Sequence, residues 1–326
     1  MCQPFHRAAS APLLDCERAP EVRKNAGFLG PNSYSNILSE GLCILEPVST
    51  DLDATISTQQ RRIHISNEKI TQGCKVLSFF RRRPMIHRFI ARWYEVCQGT
   101  QGIVIEAIMK EWLGKLSLHH GDTLTNQEPS KIRKLSELIW RNTLTPLVFN
   151  GKTTALEWAR LATGPGLRWE TLGLIAANIG LCAIETSESD QLFAEGEVTR
   201  QCLINLTKQI SEECLGFCRY CEVLDDLFIW ILCEDSIFVG AVKGDRDYSA
   251  YRATGEAHSA VIAMGLHQGS KADDKVPFFL AEMRKRAFIC AYFQEISVAS
   301  FLGRPPRLSY RYCMIDPPLD LTERQL

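Results

Sequence analysis

The sequence predicts an all-α fold, an irregular multi-helix bundle, and three features of the chain support that class. Apolar residues recur at helical spacing in one segment after another beyond residue 61. Segments that alternate apolar and polar residues, as half-buried strands do, are nearly absent, and the best of them, around His64, is too short to matter. Glycine and proline stand at the ends of several periodic segments, where they would stop a helix.

The chain divides into two regions. Residues 1–60 mix Pro, Ser, Gly and Thr with little periodicity, and we expect a mostly irregular N-terminal segment there. Residues 61–326 carry the helical patterns and are predicted to form the folded domain. Ser66 is placed to cap the first helix. The apolar stripe of that helix consists of Ile70, Cys74, Leu77 and Phe80.

The middle of the chain predicts further helices separated by clear breaks. Residues 88–118 read as one or two helices, and the polar stretch 121–129 predicts a connection. His119 and His120 would then be turn histidines rather than metal ligands or a general base. Thr154 and Glu157 have the spacing of a capping box. After the Gly164–Gly166 break, residues 169–183 give the clearest amphipathic pattern.

The second half of the chain continues in the same way. Gly265 is predicted to end one helix, and the last helix should run from about Phe278 to Gly303. The apolar stretch 287–302 is interrupted by four polar residues and is shorter than the ~20 residues that cross a bilayer, so it predicts a buried core helix. The remaining apolar stripes lie within residues 203–214, 218–231 and 248–264.

Charge and cysteine content exclude some classes of function. The formal net charge is −1, from 37 basic and 38 acidic residues, so no overall positive field attracts DNA to this chain alone. The 13 cysteines have no repeated spacing, and an odd number cannot pair completely within one chain. We interpret them as reduced, mostly buried thiols. The N-terminus lacks the apolar core of a secretory signal, so export is not expected.

Two motifs resemble sites of chemistry, and both have a simpler structural interpretation. Cys218 and Cys221 have the gap of a zinc-binding pair, but together with Cys214 they also share one buried helix face, and no second pair follows. Residues 151–154 resemble the end of a phosphate-binding loop, but Pro146 replaces the glycine that such a loop requires. Core cysteines and a capping threonine are the favoured interpretations.

One acidic and one basic run also have a functional and a structural interpretation. Asp225 and Asp226 raise the possibility of an isoprenoid-type enzyme, in which carboxylates one turn apart hold magnesium, but Ile229 occupies the next required position. A solvated acidic helix edge is the favoured interpretation. Arg81, Arg82 and Arg83 are fewer than a basic targeting stretch contains, so solvated helix ends are favoured over phosphate contacts or nuclear targeting.

An ordered series of short motifs resembles the fungal transcription-factor regulatory domain, also called the middle homology region. It comprises residues 264–267 (MGLH), 277–279 (PFF), 282–286 (EMRKR), 301–306 (FLGRPP) and 315–320 (IDPPLD). Earlier segments are also similar, namely 28–34 (FLGPNSY), 142–147 (NTLTPL) and 166–173 (GLRWETLG). The residues singled out as its structural or regulatory signature are Arg168, Trp169, Glu170, Gly265, Leu266, His267, Arg284, Gly303, Arg304 and Pro305.

These signature residues are read as scaffold. Gly265 and Gly303 are helix stops, and the prolines from Pro305 form a rigid exit. The arginines of the 282–286 motif are expected on a charged first-half face of a helix whose second half is buried. Arg304, held between a helix stop and two prolines, is expected to pair with a carboxylate, for which Glu295 is the candidate.

The resemblance implies a nuclear transcription regulator whose helices control a DNA-binding module through other transcription-factor subunits, coregulators or a small effector. Members of the family bind DNA through an N-terminal six-cysteine zinc cluster, and the early cysteines here lack the paired spacing for it. We therefore expect no cofactor in this chain, no membrane contact, and contact with DNA only indirectly or through a missing module. The family's helical region continues beyond the proline exit, so the front part of a truncated domain is expected.

Two alternatives remain from other classes. The chain could be a helical interaction scaffold, or a dominant partner that associates with full-length factors without binding DNA. An α-helical isoprenoid-type enzyme is the second alternative, and it would need a deep apolar cavity and paired carboxylates. No motif of a hydrolase elbow or a zinc protease helix occurs, so catalysis is not expected.

Overall fold

The structure is a computed structural model that describes residue 28 and residues 63–97, 103–194, 198–322 and 325–326. This part of the chain contains eleven α-helices and no strand, which confirms the predicted all-α class. The predicted domain boundary at residue 60 lies outside the described residues, as does most of the 28–34 motif. The longest apolar helices are not apolar enough, over the residues described, to span a membrane.

The helices follow one another with short connections. In chain order they are α1 Asn67–Phe79, α2 Arg83–Cys97, α3 Glu106–Asn126, α4 Pro129–Leu144, α5 Ala155–Arg160, α6 Trp169–Glu185, α7 Gln191–Ala194, α8 Arg200–Tyr220, α9 Asp226–Lys243, α10 Tyr248–Ala263 and α11 Phe278–Leu302. Single turns of 3-10 helix lie at Gly164–Gly166, Leu266–Gln268 and Tyr310–Tyr312. We call residues 303–322, which follow α11, the exit segment.

Local capping signals predicted several helix ends correctly. The Ser66 side chain accepts a hydrogen bond from the amide of Lys69, and Thr154 and Glu157 form a reciprocal capping box. Gly265 (φ 74°) and Gly303 (φ 62°) adopt the left-handed conformation directly after α10 and α11. A residue with a Cβ atom would be strained at either glycine, which explains why the helices stop there.

Two boundaries differ from the prediction. Helix α3 continues through His119, His120 and Gly121 to Asn126, so the predicted connection is helical. The guanidinium of Arg83 lies against Gly121 where a Cβ atom would be, and the glycine is inside the helix rather than at a turn. The left-handed Gln127 (φ 53°) ends α3 instead.

The stripe predicted over residues 218–231 crosses a helix boundary. Helix α8 ends at Tyr220, and Glu222 takes a left-handed conformation (φ 53°) before Asp225 caps α9. Apolar residues on both sides of this turn are buried in one core, so the periodicity persists although the helix does not. A glutamate in the left-handed region gives no sequence signal of the kind that glycine gives.

Helix α6 is the centre of the molecule. It packs against α2, α4, α8 and α9, and every residue from Trp169 to Ala183 is buried. The predicted amphipathic pattern was therefore wrong in one respect, since this helix has no solvent face. Gly173 and Gly180 allow α8 and α9 to come close, because a Cβ atom would collide with Ile231 at the first position and with Phe238 at the second.

Helix α11 lies on the outside of this core against α9 and α10. Its first half is buried at Phe279, Leu280 and Met283, whereas Phe293 and Phe301 in its second half are exposed. The prediction that residues 287–302 form a buried core helix is therefore correct for one face, which buries Ala287, Phe288, Ala291, Glu295 and Ala299, and wrong for the outer face. The remaining described helices cover one face of α11 in both halves and leave the outer face of its second half open.

Candidate functional site

A buried guanidinium joins the ends of three helices. Arg168 precedes α6, and its side chain is 3% exposed. Its Nη1 group donates to the carbonyls of Asn142 and Thr145, both at 2.6 Å, and Nη2 donates to the carbonyl of Thr143 at 3.1 Å. These carbonyls lie at the C-terminal end of α4, where helical carbonyls lack partners and a cation is favoured.

The same guanidinium binds two carboxylates. Arg168 donates to Glu170 Oε1 from Nε at 3.1 Å and from Nη2 at 2.7 Å. Its Nη2 group also lies 3.3 Å from Oδ2 of Asp225, whose other carboxylate oxygen accepts the amide of Phe228 and caps α9. Thr143 donates its hydroxyl to Glu170 at 3.3 Å. The three ionisable groups thus fix α4, α6 and α9 relative to one another.

A second buried ion pair lies at the same end of α9. Arg284 of α11 donates to both carboxylate oxygens of Asp226, from Nε at 2.7 Å and from Nη2 at 2.9 Å. This bidentate geometry is the strong form of the arginine–carboxylate pair. The prediction of a solvated acidic edge at Asp225 and Asp226 is wrong, because both carboxylates are held by arginines from other helices. We call Arg168, Glu170, Asp225, Asp226 and Arg284 the ion-pair network.

The ion-pair network contains three carboxylates and two guanidinium groups. Burial and the nearby carboxylate of Glu170 together raise the pKa of Asp225 to about 7, against the opposing effect of Arg168. Burial alone would lower the pKa of Arg168, but the Glu170 and Asp225 carboxylates raise it above its usual range. Below neutral pH, a proton on Asp225 gives the buried network equal numbers of positive and negative charges, so the network is sensitive to pH near neutrality.

Trp169 completes this region on its apolar side. Its ring contacts Trp140 with centroids 5.7 Å apart and Phe217 at 4.9 Å. Gly73 of α1 packs directly on the Trp169 ring, and a ring atom lies 2.7 Å from the position that a Cβ atom on Gly73 would occupy. The adjacent Arg168, Trp169 and Glu170 therefore connect a charged cluster to an aromatic cluster, and the short motif singled out from the sequence is a junction of four helices.

The 282–286 motif also anchors the exit segment. Glu282 Oε2 accepts the amide of Leu319 at 2.8 Å, and Arg286 donates to the carbonyl of Leu321 at 2.9 Å. Glu282 is buried, and the pKa of its carboxyl is lowered overall because Lys285 and the Leu319 amide outweigh the effect of burial. Sequence reasoning missed these roles of Glu282 and Arg286, although both belong to the motif that carried the resemblance.

The signature residues near Gly265 lie at a separate place, the C-terminal end of α10. Leu266 and His267 are buried, and the His267 carbonyl accepts the amide of Met314 at 2.8 Å. The Phe28 ring packs edge-on against His267 with centroids 5.5 Å apart, and the Gly265 Cα faces the same ring. Three motifs distant in sequence therefore meet here.

At the end of α11, the predicted partner of Arg304 is wrong. Glu295 pairs with Arg307, whose backbone amide donates to Oε1 at 3.0 Å and whose Nη1 group lies at 3.4 Å. The Arg304 guanidinium instead lies over the Tyr251 ring, 4.3 Å from its centroid. Pro305 is exposed between these arginines. Glu295 does bind an arginine, as predicted, but the chain turns after Gly303 so that Arg307 rather than Arg304 reaches it.

The cysteines of the described residues do not form a ligand set. Cys214, Cys218 and Cys221 are buried on α8 and at its end, as the core interpretation predicted. Burial raises the pKa of the Cys221 thiol to about 12 and that of Cys218 well above its usual range, which disfavours the thiolate that zinc requires. Within the described ranges no group of His, Cys, Asp and Glu side chains is arranged to hold a metal ion.

One of three comparisons with known proteins gave a match. Residues 238–321, from the second half of α9 through the exit segment, match the model of the fungal specific transcription factor domain. The match confirms the resemblance for these residues, and it supports the class of transcription regulators, a family that is not one of enzymes. No curated protein and no solved structure was found to match the chain.

Proposed function

We propose that the chain is a nuclear transcription regulator whose helical domain controls a DNA-binding module through contacts with other transcription-factor subunits, coregulators or a small effector. The observation that carries the proposal is the match over residues 238–321. The ion-pair network adds support, because Arg284 lies within the matched region and binds Asp226 outside it. The matched helices are thereby fixed to the rest of the bundle.

The ion-pair network is suited to regulation rather than to catalysis. Its carboxylates are neutralised by Arg168 and Arg284 and are hydrogen-bonded to helix ends, so they are not free to hold magnesium or to transfer protons to a substrate. This arrangement disfavours the isoprenoid-type enzyme. A change at the α9 end reaches α4, α6 and α11 through direct hydrogen bonds, which is how a bound partner would influence the whole domain.

The proposal includes no cofactor in this chain and no DNA contact of its own. The buried, protonated thiols and the net charge of −1 both support it. A duplex-binding assay titrated with salt, together with zinc analysis of the same sample, tests these two points. Tight, salt-sensitive binding or stoichiometric zinc would contradict them.

The regulatory function is tested by joining the full chain to an unrelated DNA-binding module and measuring transcription of a reporter gene. We expect transcription to differ from that given by the module alone. Arg284→Met should reduce the difference, and Lys110→Met, on an exposed face, should not. An unchanged reporter signal, with association of the chain with another factor in the same cells, would favour the helical scaffold or dominant partner instead.

A further inference from the structure

Helix α11 and the exit segment expose several aromatic side chains with arginines beside them. Phe293 and Phe301 lie two turns apart on one face of α11 and are 63% and 58% exposed. On the exit segment, Tyr310, Tyr312 and Met314 are 70%, 67% and 74% exposed. We call these five side chains, with the arginines described below, the aromatic surface.

The aromatic surface stands on a firmly held backbone. The Arg307 guanidinium lies 3.9 Å from the Tyr251 ring centroid near the start of α10, and the Met314 amide donates to His267 beyond the end of α10. Between these points, Gln268 donates to the carbonyl of Tyr312 at 3.2 Å. The exit segment therefore runs along α10, so its exposed rings belong to an anchored segment.

Arginines without carboxylate partners border these rings. Arg246, in the α9–α10 connection, lies over the Phe301 ring at 5.4 Å, and Arg304 lies over Tyr251. Stacking on a ring holds a guanidinium in place and leaves its edge free to bind a carboxylate. Among the described residues, no carboxylate forms an ion pair with any of the four arginines of this region, Arg246, Arg252, Arg304 and Arg311.

Most carboxylates near these arginines already bind another group. Glu256 binds Arg219 at 2.6 Å, Glu295 binds Arg307, and Asp247 caps α10 by accepting the Ser249 amide. Asp245 of the α9–α10 connection and Asp316 of the exit segment form no ion pair with the described residues. Four arginines without ion-pair partners thus stand against three carboxylates without them, Asp245, Asp247 and Asp316, so the aromatic surface has a small excess of positive charge, although the chain as a whole has a net charge of −1.

This composition is typical of a protein interface. Interface cores are enriched in aromatic residues, methionine and arginine, and exposed apolar patches bordered by polar groups mark binding sites. We propose that the aromatic surface binds an acidic protein segment that also carries apolar side chains. Its carboxylates would pair with Arg246, Arg304 and Arg311, and its apolar residues would pack on the exposed rings. The inference rests on the proposed function, because it names the chemistry of the regulatory partner.

The test uses the full chain and a fluorescently labelled synthetic peptide in which Asp and Glu alternate with Phe and Leu. Anisotropy should show saturable binding that weakens as salt is added. The double variant Phe301→Ser/Tyr310→Ser and the double variant Arg246→Glu/Arg304→Glu should each weaken binding about tenfold or more. Leu118→Ser and Val148→Ser, at exposed apolar positions elsewhere, should leave it unchanged.

Several results would overturn the proposal. They are the absence of saturable binding, equal binding of a peptide with Asn and Gln in place of Asp and Glu, or loss of binding only in variants that melt at lower temperature. Tighter binding of single-stranded or duplex oligonucleotides would indicate a nucleic-acid surface. Concentration-dependent dimerisation that the same variants abolish would indicate that a second copy occupies it.

The reporter assay separates the two proposals. Peptide binding without any effect of the tethered chain on transcription would contradict the proposed function and leave the binding surface in place. An effect on transcription that persists in both double variants, together with no peptide binding, would contradict the aromatic surface as the partner site. Loss of both signals in the same variants supports the two proposals together.

Discussion

Helices α6 and α11 are both rich in apolar residues, but their surroundings differ. Every residue of α6 from Trp169 to Ala183 is buried, and two glycines allow the neighbouring helices to approach it. Helix α11 is covered on one face only, and its outer face exposes Phe293 and Phe301 in the second half. An apolar helix is therefore part of the core only where other helices surround it, and elsewhere its apolar residues are available to a partner.

The two helices also differ in how they use charge. Arg168 and Glu170, at the start of α6, are buried in a network that fixes neighbouring helices. Beyond the end of α11, Arg304 is exposed and stacked on a ring without a carboxylate partner among the residues described. Buried charge here stabilises one arrangement of helices, whereas exposed charge next to aromatic rings suits reversible binding.

The largest expected effect is at the start of α6. Arg168→Met should lower the free energy of unfolding by roughly 3–5 kcal/mol, because it leaves Glu170 and the carbonyls of α4 without their buried cation. Urea denaturation followed by circular dichroism measures the change. Arg160→Met, which removes a partly exposed pair with Glu111, is the control and should cost less than about 1 kcal/mol. Equal losses in the two variants would contradict the importance of the network.

The close packing of α6 is tested by Gly180→Ala. The added methyl group would overlap the ring of Phe238 and the hydroxyl of Thr207, so we expect a loss of roughly 1–3 kcal/mol. Gly216→Ala on α8 adds the same methyl group where no other atom lies within 4 Å. That control should be neutral or stabilising by up to about 1 kcal/mol, since alanine favours the helix. The melting temperatures of both variants test this, and equal values would contradict close packing at Gly180.

Buried charge in the core should also make stability depend on pH. Burial raises the pKa of Glu234 to about 7, although the Ile103 amide donates to its carboxylate at 2.9 Å. Its unfolded pKa is about 4.3, so the folded state binds more protons between these values, and stability should fall as pH rises from about 4 to about 7.

Glu234→Gln removes that ionisation and should stabilise the protein at pH 8 by roughly 1–2 kcal/mol, with little effect at pH 4. Glu213→Gln, at a partly exposed position of α8, serves as the control. Urea titrations at the two pH values give the difference directly. A larger stabilisation at pH 4 than at pH 8 would show that the sign is wrong.

The smallest effect is expected on the exposed face of α11. Phe293→Ser should change the free energy of unfolding by less than about 0.5 kcal/mol, because the ring is mostly in water and little burial is lost. The melting temperature of the purified variant measures this. A destabilisation comparable to that of Gly180→Ala would mean that Phe293 belongs to the core, and the contrast between the two helices would then fail.

Much of the architecture follows from the sequence alone. Helical periodicity gave the all-α class, and Ser66, Thr154, Gly265 and Gly303 gave helix ends, because capping and left-handed glycine act over three or four neighbouring residues. The ordered motifs of the second half gave the family resemblance, which the match over residues 238–321 confirms. These signals are local and can be read without knowledge of the tertiary contacts.

The tertiary structure decided which charges are buried and which apolar faces remain open. Asp225 and Asp226 looked like a solvated edge, yet Arg168 and Arg284 bind them across 57 and 58 positions of sequence. The same is true of Glu295, which pairs with Arg307 rather than Arg304, and of Phe301, which no described helix covers. Burial depends on what packs from elsewhere in the chain, and local periodicity does not specify those neighbours.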